Sequence, residues 1–166
     1  MSKDFTFRIA ATNDEGVLVD MLYFAVFVAP GTARPPRSIL AQPELARYVR
    51  GWGRPGDDGI VAVGPTGDPI GAAWLRLWSK DEQGYGFVDV HTPELSMAVR
   101  PEFRGKGIGT LLLQQILHRA DQIHESVSLS VSLQNPAVRL YEKVGFAKLF
   151  NDGTSMTMRR MRATRS

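Results

Sequence analysis

Residues 94–113 read ELSMAVRPEFRGKGIGTLLL, and this stretch decides both the fold and the expected chemistry. It predicts a strand over Glu94–Val99, then a glycine-rich turn, then a helix that begins directly after Gly109. Glycines let backbone N–H groups approach a phosphate closely, because no Cβ stands in the way. The helix N-terminus adds unpaired N–H donors and a partial positive charge. The segment therefore predicts a binding site for a pyrophosphate.

The spacing of the glycines distinguishes this turn from other phosphate-binding loops. A P-loop requires G-x-x-x-x-G-K-[ST], which the chain lacks, and a dinucleotide fingerprint requires G-x-G-x-x-G. Here the glycines stand at positions 105, 107 and 109, one residue short of that fingerprint. The turn instead matches [Q/R]-x-x-G-x-[G/A] over residues 104–109, with Arg104 and Lys106 as cationic side chains. The alternative interpretation is a glycine-rich surface turn with solvated basic residues.

A second motif follows downstream, where residues 133–146 read LQNPAVRLYEKVGF. Asn135 before Pro136 predicts the start of a short helix that Gly145 ends. With both motifs the chain resembles the GNAT superfamily of N-acetyltransferases, which carries N-x-x-[AS]-x-x-[LF]-Y-x-x-x-G-F at this place. The matching positions are Asn135, Arg139, Leu140, Tyr141, Gly145 and Phe146, with Val138 where Ala or Ser is usual.

Composition places the chain among ordinary globular domains. Its 166 residues are 43% hydrophobic and 22% charged, which predicts one domain with a core over residues 5–160 and a polar tail over 161–166. The net charge of +3 suits a polyanionic ligand but is too small to indicate a nucleic-acid partner. Cysteine is absent, which excludes disulfides, thiol nucleophiles and zinc–thiolate sites, and we expect no metal.

The sequence also predicts a cytoplasmic protein without a membrane partner. Residues 1–7 lack the apolar segment of a secretory signal. The apolar run Val17–Ala29 holds 13 residues, whereas a membrane span needs roughly 20. A homodimer is expected only from the resemblance, since dimers are frequent in the family.

The order of predicted elements is β-α-α-β-β-β-α-β-α-β-β, which favours an α+β (mixed α/β) fold. Besides the strands and helices already given, the patterns predict a strand over 5–9, helices ending at Ala29 and over Pro43–Arg50, strands over Ile60–Val63, Ile70–Trp78 and Val127–Leu133, a helix over Ala137–Val144, and strands over Phe146–Phe150 and Ser155–Arg160. The resemblance implies one mostly antiparallel sheet of six to seven strands, splayed between the fourth and fifth strands and flanked by about four helices.

The resemblance also implies how acetyl-CoA binds. The backbone of Met97, Ala98 and Val99 is expected to pair with the pantetheine arm, and one of these N–H groups to polarise the thioester carbonyl. The remaining residues expected to bind the cofactor are Arg104, Gly105, Lys106, Gly107, Ile108, Gly109 and Thr110 at the pyrophosphate, with Asn135 and Arg139.

Two catalytic roles follow from the resemblance and from the chemistry of the reaction. Tyr141 is the expected general acid, because a phenol near the sulfur can protonate the departing thiolate. Glu94 is the expected general base, acting through water on an amine that arrives as ammonium. Asp89 and His91 are the alternatives, and histidine titrates in a more convenient range.

The predicted function is acetyl transfer from acetyl-CoA to a primary amine by direct attack. A polyamine, an amino acid, an antibiotic and a protein amine all remain open as acceptors. The acidic residues Asp81, Glu82, Asp89 and Glu94 favour a cationic substrate. The alternative function is a catalytically silent acyl-CoA-binding or regulatory domain, which the presence of both Glu94 and Tyr141 disfavours.

Overall fold

The computed structural model describes residues 4–163, which form a single seven-stranded sheet with helices on both faces. The strands and helices are β1 (Thr6–Ile9), α1 (Glu15–Ala25), α2 (Pro43–Ala46), β2 (Asp58–Val63), β3 (Pro69–Arg76), β4 (Glu94–Val99), α3 (Ile108–Asp121), β5 (Ser126–Ser132), α4 (Ala137–Lys143), β6 (Ala147–Asn151) and β7 (Ser155–Met161). Part of the predicted tail, residues 164–166, lies outside the described residues. The predicted element order and mixed α+β fold are confirmed.

The sheet is interrupted at one place along its order β1-β2-β3-β4-β5-β7-β6. All neighbouring strands pair antiparallel except β4 and β5, which run parallel and meet only at Glu94 and Ser128. Beyond that pair the two strands diverge, so a gap opens along the rest of β4. The predicted splay between the fourth and fifth strands is confirmed.

Alternation along β3 separates two hydrophobic cores. Successive side chains of a strand point to opposite faces of the sheet. Ala73 and Leu75 therefore pack with the apolar face of α3, while Ala72 and Trp74 pack with α1 and with the segment after α2. The sheet is thus covered on both faces, and residues of α1, α3 and α4 are among those that line the gap between β4 and β5.

Two predicted helices end earlier than expected. The first was predicted to reach Ala29 but ends at Ala25, because Val26 adopts an extended backbone with ψ 117°. The second was predicted to reach Arg50 but ends at Ala46. There the carbonyls of Arg47 and Arg50 accept hydrogen bonds from the buried Arg76 guanidinium, at 2.9 and 2.7 Å, and the chain turns to meet it.

Between residues 4 and 163, every helix is too short or too polar to cross a bilayer.

Candidate active site

Two adjoining cavities lie where β4 and β5 diverge. The carboxylate cavity, of about 410 Å³, is lined by Glu94, and the turn cavity, of about 500 Å³, is lined by the turn that precedes α3. Met97, Asn135 and Tyr141 line both cavities. The gap in the sheet therefore joins a site with a carboxylate to a site with a glycine-rich turn.

The turn cavity presents a row of free backbone donors. The N–H groups of residues 105–110 donate no hydrogen bond to any group within the described part of the chain. Gly105 and Gly107 have φ of 79° and 82°, a left-handed backbone that favours glycine, and a Cβ on either would meet nothing within 4 Å. Consecutive amides of this kind at a helix N-terminus form an anion site. The residues present fit the diphosphate of coenzyme A.

Two arginines make the turn cavity electropositive. Arg104 donates to the carbonyls of Val99 and Phe24, at 3.0 and 3.3 Å, and Arg34 donates to Tyr23 O at 3.3 Å. Burial and the neighbouring positive charge of Arg34 lower the pKa of Arg104. Among the described residues neither guanidinium pairs with a carboxylate. No sequence pattern indicated Arg34, which lies in a proline-rich loop far from either motif and lines the turn cavity.

Two side chains among the residues predicted to bind the cofactor do not line the turn cavity. The Lys106 ammonium lies 5.4 Å from the centroid of the Phe103 ring and does not line the turn cavity. Arg139 is exposed on α4 and lines neither cavity. The other predicted residues of the turn, Arg104, Gly105, Gly107, Ile108, Gly109 and Thr110, all line the turn cavity.

The free edge of β4 presents alternate residues to the gap. Arg100 N–H donates to Ile70 O at 2.8 Å, and in the β3–β4 register Ala98 faces Ala72. Hydrogen-bonded and non-hydrogen-bonded pairs alternate in an antiparallel ladder, so Ala98 directs its N–H to β3. Met97 and Val99 direct theirs into the gap, although Val99 O already accepts from Arg104. Met97 therefore offers both backbone groups to a ligand.

Glu94 is buried at the base of the carboxylate cavity, with 3% of its surface exposed. Its Oε2 accepts from the Tyr48 hydroxyl at 2.6 Å, and its Oε1 accepts from Trp78 Nε1 at 2.9 Å and from Gly86 N–H at 3.0 Å. Burial raises the pKa of Glu94 to about 7, although the three donors lower it. A carboxylate with this pKa can accept a proton near neutral pH.

The loop between β3 and β4 closes directly over this carboxylate. A Cβ on Gly86 would lie 2.9 Å from Glu94 Cδ and 2.7 Å from the backbone of Leu129, and a Cβ on Gly84 would contact Glu94 Oε1. Only glycine allows the loop to approach so closely. Asp89 and His91, the alternative bases, are exposed on the same loop and line neither cavity.

A buried ion pair holds the segment that carries Tyr48. Arg76 donates to both carboxylate oxygens of Asp57, at 3.0 and 2.8 Å, and its exposed fraction is 1%. The same guanidinium donates to the carbonyls of Arg47 and Arg50 on either side of Tyr48. The sheet thus fixes the hydroxyl that bonds Glu94. No local pattern in the sequence connects Tyr48 with Glu94, which lies 46 positions away.

Tyr141 and Asn135 lie at the junction of the two cavities. Burial raises the pKa of Tyr141 to about 12, so its hydroxyl keeps its proton at neutral pH. Its ring meets Phe146 edge to face at 5.8 Å, and its hydroxyl makes no hydrogen bond with the described residues. Asn135 Oδ1 accepts from Ala137 N–H at 2.9 Å, which starts α4 as the sequence predicts.

The described residues include no cluster of side chains suited to binding a metal ion. Within residues 4–163 no group of three or more His, Asp or Glu side chains is arranged to hold a metal ion. The candidate site consists of a carboxylate, a phenol, free backbone amides and arginine side chains.

A family model and a curated relative both match this chain. The family model described as "Acetyltransferase (GNAT) family" matches residues 28–146. A mycothiol acetyltransferase from Propionibacterium freudenreichii is 33% identical over 95 residues, which are 56% of this chain and 28% of that relative. The chain therefore matches less than a third of the length of that curated relative.

Solved structures show the same fold at low sequence identity. A phosphinothricin acetyltransferase from Sinorhizobium meliloti, solved with acetyl-CoA, has a TM-score of 0.66 at 22% identity, over 96% of this chain and 89% of that one. A variant of spermidine N-acetyltransferase from Vibrio cholerae has a TM-score of 0.62 at 19% identity, over 96% and 94%. Because the family model matches more than half of the 166 residues, the chain belongs to the GNAT family of acetyltransferases.

Proposed function

We propose that the protein transfers the acetyl group of acetyl-CoA directly to a primary amine. One observation carries the proposal: a buried carboxylate and a row of free backbone amides lie in two cavities that share Met97, Asn135 and Tyr141 as a common wall. The acyl donor would occupy the turn cavity, and the amine would occupy the carboxylate cavity. The thioester carbon and the amine nitrogen would then meet at the junction of the two cavities.

The donor is bound by the turn and by the free edge of β4. The amides of residues 105–110 bind the diphosphate, with Arg104 beside them. The backbone of Met97 pairs with the pantetheine arm, and its N–H polarises the thioester carbonyl. A fixed donor of this kind stabilises the negative charge that develops on the carbonyl oxygen as the amine attacks.

Proton transfer is divided between Glu94 and Tyr141. The carboxylate of Glu94 removes a proton from the ammonium through a water molecule, and the free amine attacks the thioester carbon. As the C–S bond breaks, the Tyr141 hydroxyl gives its proton to the sulfur, and the phenolate regains a proton through water as the nitrogen of the tetrahedral intermediate loses its extra proton to form the amide. The products are the N-acetylated amine and coenzyme A with a free thiol. No cysteine exists in the chain to form an acetyl-thioester intermediate.

Initial-rate measurements test this proposal. Release of free thiol is followed while acetyl-CoA and an amine are varied together, and direct attack predicts intersecting double-reciprocal lines. Parallel lines would contradict direct attack, because they indicate a covalent acetyl-enzyme. Saturable binding of acetyl-CoA by calorimetry without amine-dependent thiol release would favour the silent acyl-CoA-binding domain instead.

We also propose, from the sequence and the family resemblance, a cytoplasmic location and a homodimeric state. Light scattering coupled to size-exclusion chromatography measures the second. A monomer at the concentration used in the assay would contradict it.

A further inference from the structure

The carboxylate cavity carries a single charged side chain. Glu94 is the one acid among the described residues that line it, and no Lys, Arg or His lines it. The other three acidic residues that suggested a cationic substrate do not line the cavity, since Asp81 and Asp89 are exposed and Glu82 pairs with Arg54 at 2.9 Å. The cavity can therefore neutralise one ammonium group and no further charge of either sign.

The remaining polar side chains of the cavity are uncharged and consist of hydroxyls and the Asn135 amide. Ser96 on β4, Ser130 on β5 and Ser155 on β7 line it, and their hydroxyls make no hydrogen bond with other described residues. Leu22 and Leu45 add apolar surface to the same cavity. A hydroxyl both donates and accepts, so these serines can pair with hydroxyl or amide groups of a ligand.

We infer that the acceptor is a small primary amine whose body carries no second charge and presents hydroxyl or amide groups, as in an amino alcohol or amino sugar. This inference rests on the proposed acetyl transfer and names its substrate class. It excludes free amino acids and polyamines as preferred acceptors.

The exclusion follows from desolvation. A carboxylate that enters the cavity loses water and finds no cation, and an unpaired charge in such a site is strongly disfavoured. A second ammonium also loses water and finds no free carboxylate, because Glu94 already faces the reacting amine. A neutral hydroxyl replaces its hydrogen bonds to water with hydrogen bonds to the serines, so its transfer from water into the cavity changes the free energy little.

A series of amines that differ only at the far end tests the inference on the full chain with acetyl-CoA. The four amines are 6-aminohexan-1-ol, hexylamine, 1,6-diaminohexane and 6-aminohexanoate. We expect the amino alcohol to have the highest kcat/KM, and the carboxylate to fall below hexylamine by about tenfold or more. A kcat/KM for the carboxylate or the diamine equal to or above that of the amino alcohol would overturn the inference.

Variants identify the side chains that recognise the hydroxyl. Ser130→Ala and Ser155→Ala should lower kcat/KM for 6-aminohexan-1-ol several-fold more than kcat/KM for hexylamine, as expected for a lost neutral hydrogen bond to the hydroxyl. Ser38→Ala is the matched control, because Ser38 is exposed and lines neither cavity. Equal effects of Ser130→Ala and Ser155→Ala on both amines would contradict recognition of the hydroxyl.

The outcomes separate this inference from the proposed function. Absence of acetyl-CoA binding would remove the proposed function itself. Turnover of the diamine or the carboxylate but of neither neutral amine would overturn the inference alone. Acetylation of a lysine-containing peptide in preference to the amino alcohol would also overturn it, in favour of a protein acceptor.

Discussion

At the scale of single residues, the environment of Glu94 decides how the site responds to pH. Three donors, one from the segment after α2 and two from the β3–β4 loop, hold the carboxylate, and burial still raises its pKa to about 7. A general base must be ionised to act. For a primary amine without a second charged group, kcat/KM should therefore rise with pH through about 7. The raised pKa thus places the onset of activity near neutrality.

Glu94→Gln should lower kcat/KM by about 10²-fold or more, because an amide cannot accept the proton. The rise through about pH 7 should vanish, and the affinity for acetyl-CoA should not change, since Glu94 does not line the turn cavity. Glu82→Gln is the matched control, as Glu82 lines neither cavity. An unaltered pH profile in Glu94→Gln would exclude this residue as the base.

Tyr141→Phe should lower kcat by about 10²-fold while the Kd for acetyl-CoA, measured by calorimetry, changes little. The variant keeps the ring and its contact with Phe146 but loses the proton that the departing sulfur requires. Steady-state rates at saturating amine check the change in kcat. Equal kcat values in the two proteins would remove Tyr141 as the acid.

At the scale of elements, the turn before α3 contains Gly107, where an added Cβ would contact no protein atom within 4 Å. Gly107→Val should abolish binding of acetyl-CoA, because a side chain there opposes the left-handed backbone and obstructs the approach of a phosphate. Gly67→Val is the matched control: Gly67 has φ 87° and open space around it, but lies in the β2–β3 turn. Calorimetry with both variants separates the two effects. Micromolar binding by Gly107→Val would refute the anion site.

Local sequence patterns predicted some features of these helices and strands correctly and others wrongly. The apolar spacing of α3 and the bounds of β4 were predicted correctly, since both depend on local periodicity. The turn was predicted to bind phosphate from its glycines, and its free amides fit that role. The end of α1 was wrong by four residues, because an apolar run does not show where Val26 leaves the helix.

The partners of Glu94 could not be predicted for a different reason. Tyr48 and Trp78 meet this carboxylate only through the packing of the segment after α2 and of the β3–β4 loop against the sheet. Such contacts depend on tertiary structure and leave no periodic signal in the chain. The sequence therefore predicts which acid could act as the base, but not that three donors hold it or that it is buried.

At the scale of the whole molecule, the buried carboxylate should make stability depend on pH. Glu94 has a pKa of about 7 in the folded chain against an ordinary 4.5, so the folded state binds the extra proton between these values. Its contribution to the free energy of unfolding is fully present below pH 4.5 and is lost as the pH rises through about 7. The loss is about 3 kcal/mol, a large share of a typical domain's stability.

Urea unfolding of the natural chain and of Glu94→Gln at pH 4.5 and at about pH 8 measures this loss. The free energy of unfolding of Glu94→Gln, relative to the natural chain, should rise by about 3 kcal/mol between the two conditions. Other titrating groups are common to both proteins and cancel in the difference. A difference that stays constant with pH would contradict the raised pKa of Glu94.

The interrupted ladder between β4 and β5 has a mechanical consequence. Strands β1–β4 and β5–β7 share one backbone pair, at Glu94 and Ser128, and the edge of β4 beyond it is left without a neighbouring strand. An acyl donor lying along Met97 would complete the hydrogen bonding that the polypeptide leaves open. Binding of this small molecule would thus add backbone hydrogen bonds along the opening in the sheet, and amide deuterium uptake on both sides of the opening should slow together when the coenzyme is present.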